Sequence, residues 1–308
     1  MDVSSVPSDE ESMSEITCII YKLSTNNMIT PELIQATLPN ILPAVEGEKS
    51  VYEKLQPYVA EAERWVKNTF TGEEIWQNIE QRSDSDNTKQ ILQKVIINDA
   101  FARAIPNLDL ILTPNGFGIV SNTNIAPASK DRVERLIDSI LDNRDDNISL
   151  LLVELPKIEG WIATSQGEYF TATLFTTLSI TRTLPKPDNY RTRWDYYQLL
   201  HEKLVVIEKE IADKYVSPEL ISALRTEQFS SAATNLRKKI IPSLKAVELL
   251  LLRNTEEYRK ICHNELTMIV DIIRKYPDDF PEWHSSPTAQ LYNPPIFENK
   301  KNATGYWF

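Results

Sequence analysis

The sequence predicts a mainly α-helical protein: two tandem helical-bundle repeats, one β-hairpin, and extended segments at both ends. Three observations support this fold class. Glycine is rare, with seven in 308 residues, which favours long regular elements with few tight turns. Apolar residues recur at intervals of three and four over two long stretches, which is typical of amphipathic helices. The same order of elements also occurs twice along the chain.

The first periodic stretch begins at residue 51. Its apolar side chains predict one face of a helix, formed by Tyr52, Leu55, Val59, Ala62, Val66 and Phe70. Thr71 and Gly72 interrupt this pattern, and a short second helix is predicted over residues 73–80. After a polar loop, residues 89–105 predict a long apolar helix.

Residues 108–121 differ in character from the helical stretches around them. Extended-compatible leucines precede the turn sequence Pro114-Asn115-Gly116, and a second β-prone run follows it. Proline presets φ at a turn, and Asn-Gly accepts positive φ. A phosphate-binding loop needs a helix directly after its glycines, whereas the next predicted helix begins near Ser129. The pattern therefore favours a β-hairpin over a phosphate site.

The rest of the chain is again largely helical. A helix is predicted over residues 129–143, with a separate apolar segment at residues 148–155. Residues 158–189 have a mixed pattern that gives no prediction. Helical periodicity returns at Tyr196 and continues through Ile273. The basic run Arg237-Lys238-Lys239 lies within it and is interpreted as a solvated helix face.

An internal repeat appears when the sequence is shifted by 145 residues. The match runs without a gap through the first helix, the break and the short helix: Tyr52 with Tyr197, Leu55 with Leu200, Val59 with Leu204, Glu63 with Glu208, Val66 with Ile211, Phe70 with Tyr215, and Glu74 with Glu219. Any two amphipathic helices agree over a few turns, but agreement through the break favours duplication.

The repeat divides the chain into four predicted segments. Residues 1–50 are an N-terminal segment whose first 15 residues are expected to be disordered, although Thr30 and Pro31 are typical of a helix start. Residues 51–157 form repeat 1 with the hairpin, and residues 158–276 form repeat 2. Residues 277–308, rich in proline and aromatic residues, are expected to be an extended C-terminal tail.

Composition restricts the possible functions. The formal net charge is −11, so the overall field opposes sequence-independent binding to nucleic acid, although a repelled duplex can slide past an acidic surface. No apolar run is long enough for a membrane span, and the acidic N-terminus lacks the features of a signal peptide. Synthesis inside the cell is expected. Cys18 and Cys262 are far apart and are interpreted as buried or unpaired thiols.

The sequence contains no motif that predicts catalysis. The three histidines, His201, His263 and His284, stand in no metal-binding spacing, and hydrolase and kinase signatures are absent. Cys262 and His263 are adjacent, so on a helix they point about 100° apart. The recurring glutamates have structural explanations as bridges or helix-start charges. No enzyme activity, cofactor or metal is therefore predicted.

The first repeat resembles a known family. The run VYEKLQPYVAEAERWVKNTF, a turn before EEIWQNI, an apolar helix, a hairpin and a closing helix are similar to the head–tail connector, or head-completion adaptor, proteins of tailed bacteriophages. The duplicated form, with its ending FENKKNATGYWF, resembles a longer connector-like family in phages and prophages of Bacteroides-type bacteria. Duplication departs from the single-unit adaptor.

This resemblance implies a structural virion protein, made in the host cytoplasm and located at the head–tail junction. It implies a ring, commonly a dodecamer, that docks on the portal protein and presents a surface to tail or stopper proteins. Double-stranded DNA would pass through the ring without sequence-specific contact, and no membrane would be involved.

In a ring, the hairpin and the chain end are candidate contacts between subunits or with partners. Unpaired strand edges can pair with a neighbouring chain, and terminal aromatic residues order most readily when they dock. Packing within one chain is the alternative for both. The predicted interface residues are Leu110, Leu112, Asn115, Gly116, Phe117, Ile119, Tyr306, Trp307 and Phe308.

Two other functions remain open from the sequence. A cytoplasmic helical-repeat scaffold that binds a protein partner would share the helix pairs, but it would have a concave surface and stay monomeric. An enzyme assembled from scattered acidic residues would have a deep polar pocket with shifted carboxylates.

Overall fold

A computed structural model describes residues 28–38, 50–108, 110–113, 116–119, 129–230 and 233–293; of residues 110–113 and 116–119 it describes the backbone alone. The predicted mainly α-helical class is confirmed over these ranges.

The N-terminal part of the described chain contains four helices with clear start signals. Thr30 caps the first of them by accepting a hydrogen bond from the Leu33 backbone N–H at 3.3 Å, as the sequence predicts. Ser50 and Glu53 form a reciprocal capping box at the start of the second. The helices are α1 (Pro31–Thr37), α2 (Val51–Val66), α3 (Gly72–Glu80) and α4 (Asn87–Ala104), with a π-helical turn at Lys67–Thr71 and a 3-10 turn at Ile105–Asn107.

Between α4 and the next helix, two four-residue segments pair antiparallel. They are β1 (Leu110–Thr113) and β2 (Gly116–Ile119), and their register places Leu112 opposite Phe117. Residues 114 and 115, which connect them, lie outside the described residues.

The long helix α5 (Lys130–Glu154) corrects one prediction. The sequence suggested a helix ending at residue 143 and a separate segment from residue 148, because the polar run between them is typical of a loop. The structure instead has one helix of 25 residues. The helix continues because Arg144 and Asp145 are buried within it and pair with each other at 2.8 Å.

The rest of the chain forms eight further described helices. Two 3-10 turns, Leu155–Lys157 and Trp161–Ala163, lead into α6 (Ser165–Thr171). The helices that follow are α7 (Ile180–Thr183), α8 (Arg193–Ile211), a π-helical turn (Ala212–Val216), α9 (Pro218–Glu227), α10 (Asn235–Arg253), α11 (Glu256–Lys275), α12 (Pro281–His284) and α13 (Pro287–Tyr292).

The predicted extended tail at residues 277–308 is wrong over residues 281–292, which form α12 and α13. Pro281 and Pro287 each stand in the first turn of a helix, where a missing backbone N–H costs nothing. Trp283 is fully buried, and its indole N–H donates to the Tyr215 carbonyl at 2.8 Å. The proline-rich composition therefore marks helix starts here. Residues 294–308, including Tyr306, Trp307 and Phe308, lie outside the described residues.

Two apolar clusters form the core, and α8 connects them. In the first cluster α4 packs between α2 and α5, and in the second α10 packs against α8 and α11. Trp194, Tyr197 and Leu204 on α8 are buried in the first cluster, whereas Ile211 at its end belongs to the second. The two clusters are therefore joined through a shared helix.

Residues 28–171, here called the first half, and residues 174–292, the second half, share several local features. Each π-helical turn is followed by a residue with positive φ: Gly72 at 71° and Ser217 at 75°. The Trp161 indole donates to the Phe70 carbonyl at 2.7 Å, as Trp283 does to Tyr215. The ring of Trp161 lies 6.3 Å from Phe170, and the ring of Trp283 lies 6.1 Å from Tyr292.

Candidate interaction surfaces

The structure places some of the predicted interface residues and leaves the others outside its description. The backbones of Leu110, Leu112, Gly116, Phe117 and Ile119 lie in β1 and β2, between α4 and α5. Asn115 and the three terminal aromatics lie outside the described residues. What these side chains contact therefore stays a prediction.

The start of α8 fills a cleft of the first half, here called the first-half cleft, between α2 and α5. The buried ring of Trp194 lies 6.2 Å from Trp65, 5.1 Å from Phe70 and 6.2 Å from Phe170. Such aromatic groups bury large areas and favour tilted or edge contacts at these distances. Trp194 is thus the apolar anchor that joins the two halves.

A buried ionic cluster lies beside this anchor. The Arg144 guanidinium contacts Asp99 at 2.9 Å and Asp145 at 2.8 Å, and its centre lies 5.4 Å from the Trp65 ring. Burial lowers the pKa of Arg144, but the attraction of Asp145 and Asp99 outweighs it and raises that pKa overall. For Asp145, burial raises the pKa, and the attraction of Arg144 and the hydrogen bond to it oppose this rise.

The cluster also holds the start of α8. The second carboxylate oxygen of Asp145 accepts the Trp194 backbone N–H at 3.1 Å, in the first turn of the helix. Around it, Arg193 contacts Asp146 at 3.0 Å and the Asp142 carbonyl at 2.8 Å. On the exposed rim, Arg191 and Asp138 pair at 3.7 Å. Helix α5 therefore binds the α8 start through one buried bond and several outer ones.

The second half has an open cavity at the corresponding place, here called the second-half cleft. Its volume is about 500 Å³, and it lies between α8, α10 and α11. The Tyr215 hydroxyl shares a hydrogen bond with His263 Nδ1 at 3.0 Å at its edge. The lining includes Glu210, Lys214, Tyr215, Arg259, Cys262 and His263.

Cys262 lies at the base of this cleft. It is a free thiol, 1% exposed, and its Sγ donates to the Val247 carbonyl at 3.6 Å. Burial raises its pKa, which keeps the thiol protonated and unreactive. The prediction of a buried cysteine beside a surface histidine is confirmed for Cys262 and His263; Cys18 lies outside the described residues.

Helices α5 and α11 can be compared by aligning Trp161 with Trp283, a shift of 122 residues. Both bury their core faces, formed by Ile140, Arg144, Ile148 and Leu151 on α5 and by Cys262, Leu266, Val270 and Ile273 on α11. Asp145, which holds the α8 start, is fully buried, whereas Thr267 at the corresponding position is exposed. The face of α11 that matches the α8-binding face of α5 is therefore uncovered.

A second buried ionic cluster lies between α8, α9 and α10. Glu208 accepts the Arg225 guanidinium at 2.9 Å and the Leu174 backbone N–H at 2.5 Å. Glu248 is fully buried, neither of its carboxyl oxygens accepts a hydrogen bond from a described residue, and its protonated carboxyl donates one to the Glu208 carboxylate. Burial and the nearby Glu208 raise the pKa of Glu248 well above its usual value, and burial lowers the pKa of Lys245 beside it. Glu248 is therefore held in the neutral form.

Replacing Glu248 with glutamine should make the protein more stable at pH 8 by about 1 kcal/mol or more. The raised pKa means that the folded state keeps a proton that the unfolded state releases above about 4.5. The resulting stabilisation is present below that pH and is lost as the pH rises toward the raised pKa. Urea unfolding at pH 5, 6.5 and 8 should show the gain of Glu248→Gln growing with pH, while exposed Glu159→Gln shows no such trend. A gain that is equal at all three pH values would contradict this account.

The basic run at residues 237–239 also required correction. Arg237, predicted on a solvated face, is only 6% exposed. Its guanidinium pairs with Glu227 and Glu282 and donates to the Asp279 carbonyl at 2.7 Å. It therefore ties α10 to the end of α9, to Asp279 and to α12, through contacts that local charge patterning does not reveal.

No feature of the described residues identifies a catalytic or metal site. A cavity of about 930 Å³ lies among α1, α4 and α5, and its Lys89 ammonium is bound by the Glu80 and Arg82 carbonyls at 3.1 and 2.9 Å. No group of three or more potential metal ligands occurs in the described part of the chain. None of the described helices is both long and apolar enough to cross a membrane.

Comparison with known proteins gives one similarity. A family of unknown function, DUF6712, matches residues 38–171. The match lies within the first half and ends at the last residue of α6. No curated protein and no solved structure matches the chain. The matched family has no known function, so the similarity assigns none to this chain.

Proposed function

We propose that this protein is a structural virion component, a ring-forming head–tail connector or adaptor that docks on a phage portal and bridges to the tail. The feature that carries this proposal is architectural: we infer two like helical units that follow one another in the chain, with the start of α8 from the second packed into the first. When two units bind through unlike surfaces, the same contact can form again between the end of one chain and the start of the next. Such heterologous contacts form a closed ring when the rotation between neighbouring subunits permits it.

The two-unit architecture rests on matched details. Each half has a π-helical turn followed by a residue with positive φ. Each half also has a buried tryptophan whose indole N–H donates to the carbonyl of the residue two positions before that one. A further sequence match, shifted by 146 residues, lies near the start of each half: Thr30, Ile34, Thr37, Leu38 and Pro39 correspond to Thr176, Ile180, Thr183, Leu184 and Pro185. We infer duplicated units at about residues 28–171 and 174–292, in place of the boundaries at 51, 158 and 276.

The connector assignment itself comes from the family resemblance, and several properties of the chain suit it. The pair β1 and β2 offers strand edges that can pair with a neighbouring subunit. A net charge of −11 suits a passage through which DNA slides without being gripped. The portal protein would bind one face and tail or stopper proteins the other, with no cofactor and no enzymatic step.

The proposal predicts that deleting residues 110–119 abolishes ring assembly and leaves helical content nearly unchanged. The deleted residues form only β1, β2 and their connection, whereas the helices have their own cores. Circular dichroism should give matching spectra for the deletion variant and the wild type, and electron microscopy should show rings for the wild type alone. Intact rings of the variant would contradict the role of the hairpin. A wild type that stays monomeric, with and without its portal partner, would favour the scaffold alternative.

A further inference from the structure

We propose that the second-half cleft receives the start of α2, together with the residues just before it, from a second copy of the chain. This inference rests on the proposed function in one respect, that copies associate head to tail. It goes further by naming both surfaces of the contact and the side chains that match across it.

The contact between the two halves supplies the template. In the first-half cleft, Trp194 packs against Trp65 and Phe70, and Asp145 binds its backbone N–H. At the repeat shift of 145 residues, Trp65 and Phe70 correspond to Glu210 and Tyr215, both of which line the open second-half cleft. At the same shift, Trp194 corresponds to Lys49, which precedes α2 in the sequence. The segment equivalent to the occupant of the first cleft is therefore residues 46–52.

Two positions that contact α8 in the first half have exposed apolar counterparts in the second half. Tyr169, itself 39% exposed, lies against His201 of α8, with ring centroids 4.3 Å apart, whereas its counterpart Leu291, which lines another cavity beside Pro218, is 68% exposed. Asp146, whose side chain is 50% exposed, binds Arg193, whereas its counterpart Met268 is 56% exposed. At both positions the second half therefore carries an exposed apolar side chain where the first half contacts α8.

Charge complementarity identifies the occupant as a second copy. The aromatic pair Trp65 and Trp194 is replaced at the corresponding positions by Glu210 and Lys49, which carry opposite charges. The rim pair Asp138 and Arg191 is replaced by Lys260 and Glu46, again opposite and with the signs reversed. At both contacts the residue types differ from those of the first half, yet the two partners remain complementary. This indicates that residues 46–49 bind at this cleft. Complementary charges of this kind fix register and partner choice.

The cleft residues are free to form these contacts. Glu210 pairs at 2.6 Å with Lys214, one turn away, and both are more than half exposed. Lys260 pairs at 3.7 Å with Glu256, and both side chains are about four-fifths exposed. Exposed pairs within one helix contribute little, so exchanging them for contacts with a second copy costs little.

The test uses two variants that each keep the net charge unchanged. One, the segment variant, carries Glu46→Lys and Lys49→Glu; the other, the cleft variant, carries Glu210→Lys and Lys260→Glu. Each alone places like charges at both contacts, and an equal mixture places opposite charges at every junction. Sedimentation velocity over a range of concentrations measures assembly, and circular dichroism verifies folding. A third variant, Lys157→Glu with Glu159→Lys, exchanges two exposed charges away from the cleft and serves as the control.

Each variant alone should need roughly tenfold or more higher concentration than the wild type to assemble. The mixture and the control should assemble at wild-type concentrations. If both single variants assemble as the wild type does, the inference is overturned, and the cleft belongs to another occupant such as residues 294–308 of the same chain. The ring proposal survives that result. A folded wild type that never assembles overturns both, and a mixture that fails to recover overturns this contact alone.

Discussion

Replacing Arg144 with alanine should lower the free energy of unfolding by about 3–5 kcal/mol. The substitution leaves Asp99 and Asp145, which are 2% exposed or less, without their shared cation. Removing one partner of a buried ionic cluster costs more than the cluster contributes, because the remaining charges keep their desolvation penalty. The loss also reaches the start of α8, since Asp145 binds the Trp194 backbone N–H.

Chemical denaturation monitored by circular dichroism measures this loss. Arg103→Ala is the matched control, because Arg103 pairs with the same Asp99 but its side chain is 43% exposed, and it should cost about 1 kcal/mol or less. Adding Asp145→Asn to Arg144→Ala should recover part of the loss, because it removes the buried charge that Arg144 neutralises, whereas Asp99 keeps its pair with Arg103. Equal costs for the two arginine variants would contradict the assignment of Arg144 as the buried centre.

Replacing Trp194 with alanine should cost about 3–5 kcal/mol and open the first-half cleft. The indole contacts Trp65, Phe70 and Phe170, so its removal leaves a cavity among three aromatic rings. The joint between the halves then depends on the other α8 residues in the first cluster, such as Tyr197 and Leu204, and on the outer ion pairs of Arg191 and Arg193, none of which fills the space left by the indole.

Denaturation by urea and limited proteolysis between the halves test this expectation together. Gln198→Ala, an exposed change on the same helix, should stay within about 0.5 kcal/mol of the wild type. Cleavage of the Trp194 variant near residues 172–192 should become faster because the joint opens. Wild-type stability with unchanged cleavage would show that Trp194 does not hold the halves together.

Periodicity was sufficient to predict the long helices. The apolar side chains that step along α2, Leu55, Val59 and Val66, are buried as expected, and Thr30 caps α1. The recurring glutamates at positions 74 and 219 lie in the first turns of α3 and α9. These features depend on residues close together in the sequence, which is why the sequence alone suffices for them.

Features that depend on distant partners were missed. The polar centre of α5 suggested a break in the helix. The helix continues there because Arg144 pairs with Asp99, which lies 45 residues away in the sequence. Arg237 is likewise buried with a partner that is distant in the sequence, Glu282 in α12. The cleft filled by Trp194 required the packing of α8 onto the first half, which no local pattern specifies.

Some available sequence signals were not used. Trp161 and Trp283 occupy corresponding places, and each is followed three residues later by a hydroxyl, Thr164 or Ser286, that bonds its carbonyl. Together with the match between residues 30–39 and 176–185, these positions favour a unit boundary near residue 172. Helical periodicity does not reveal these positions, because turns and short helices lack it.

The mass of the wild-type chain in solution across a wide concentration range tests the central claim most directly. Head-to-tail contact between copies predicts species heavier than the 35.4 kDa chain that grow in steps of one chain and end in a closed ring. A mass of 35.4 kDa at every concentration, or a dimer that grows no further, would contradict it.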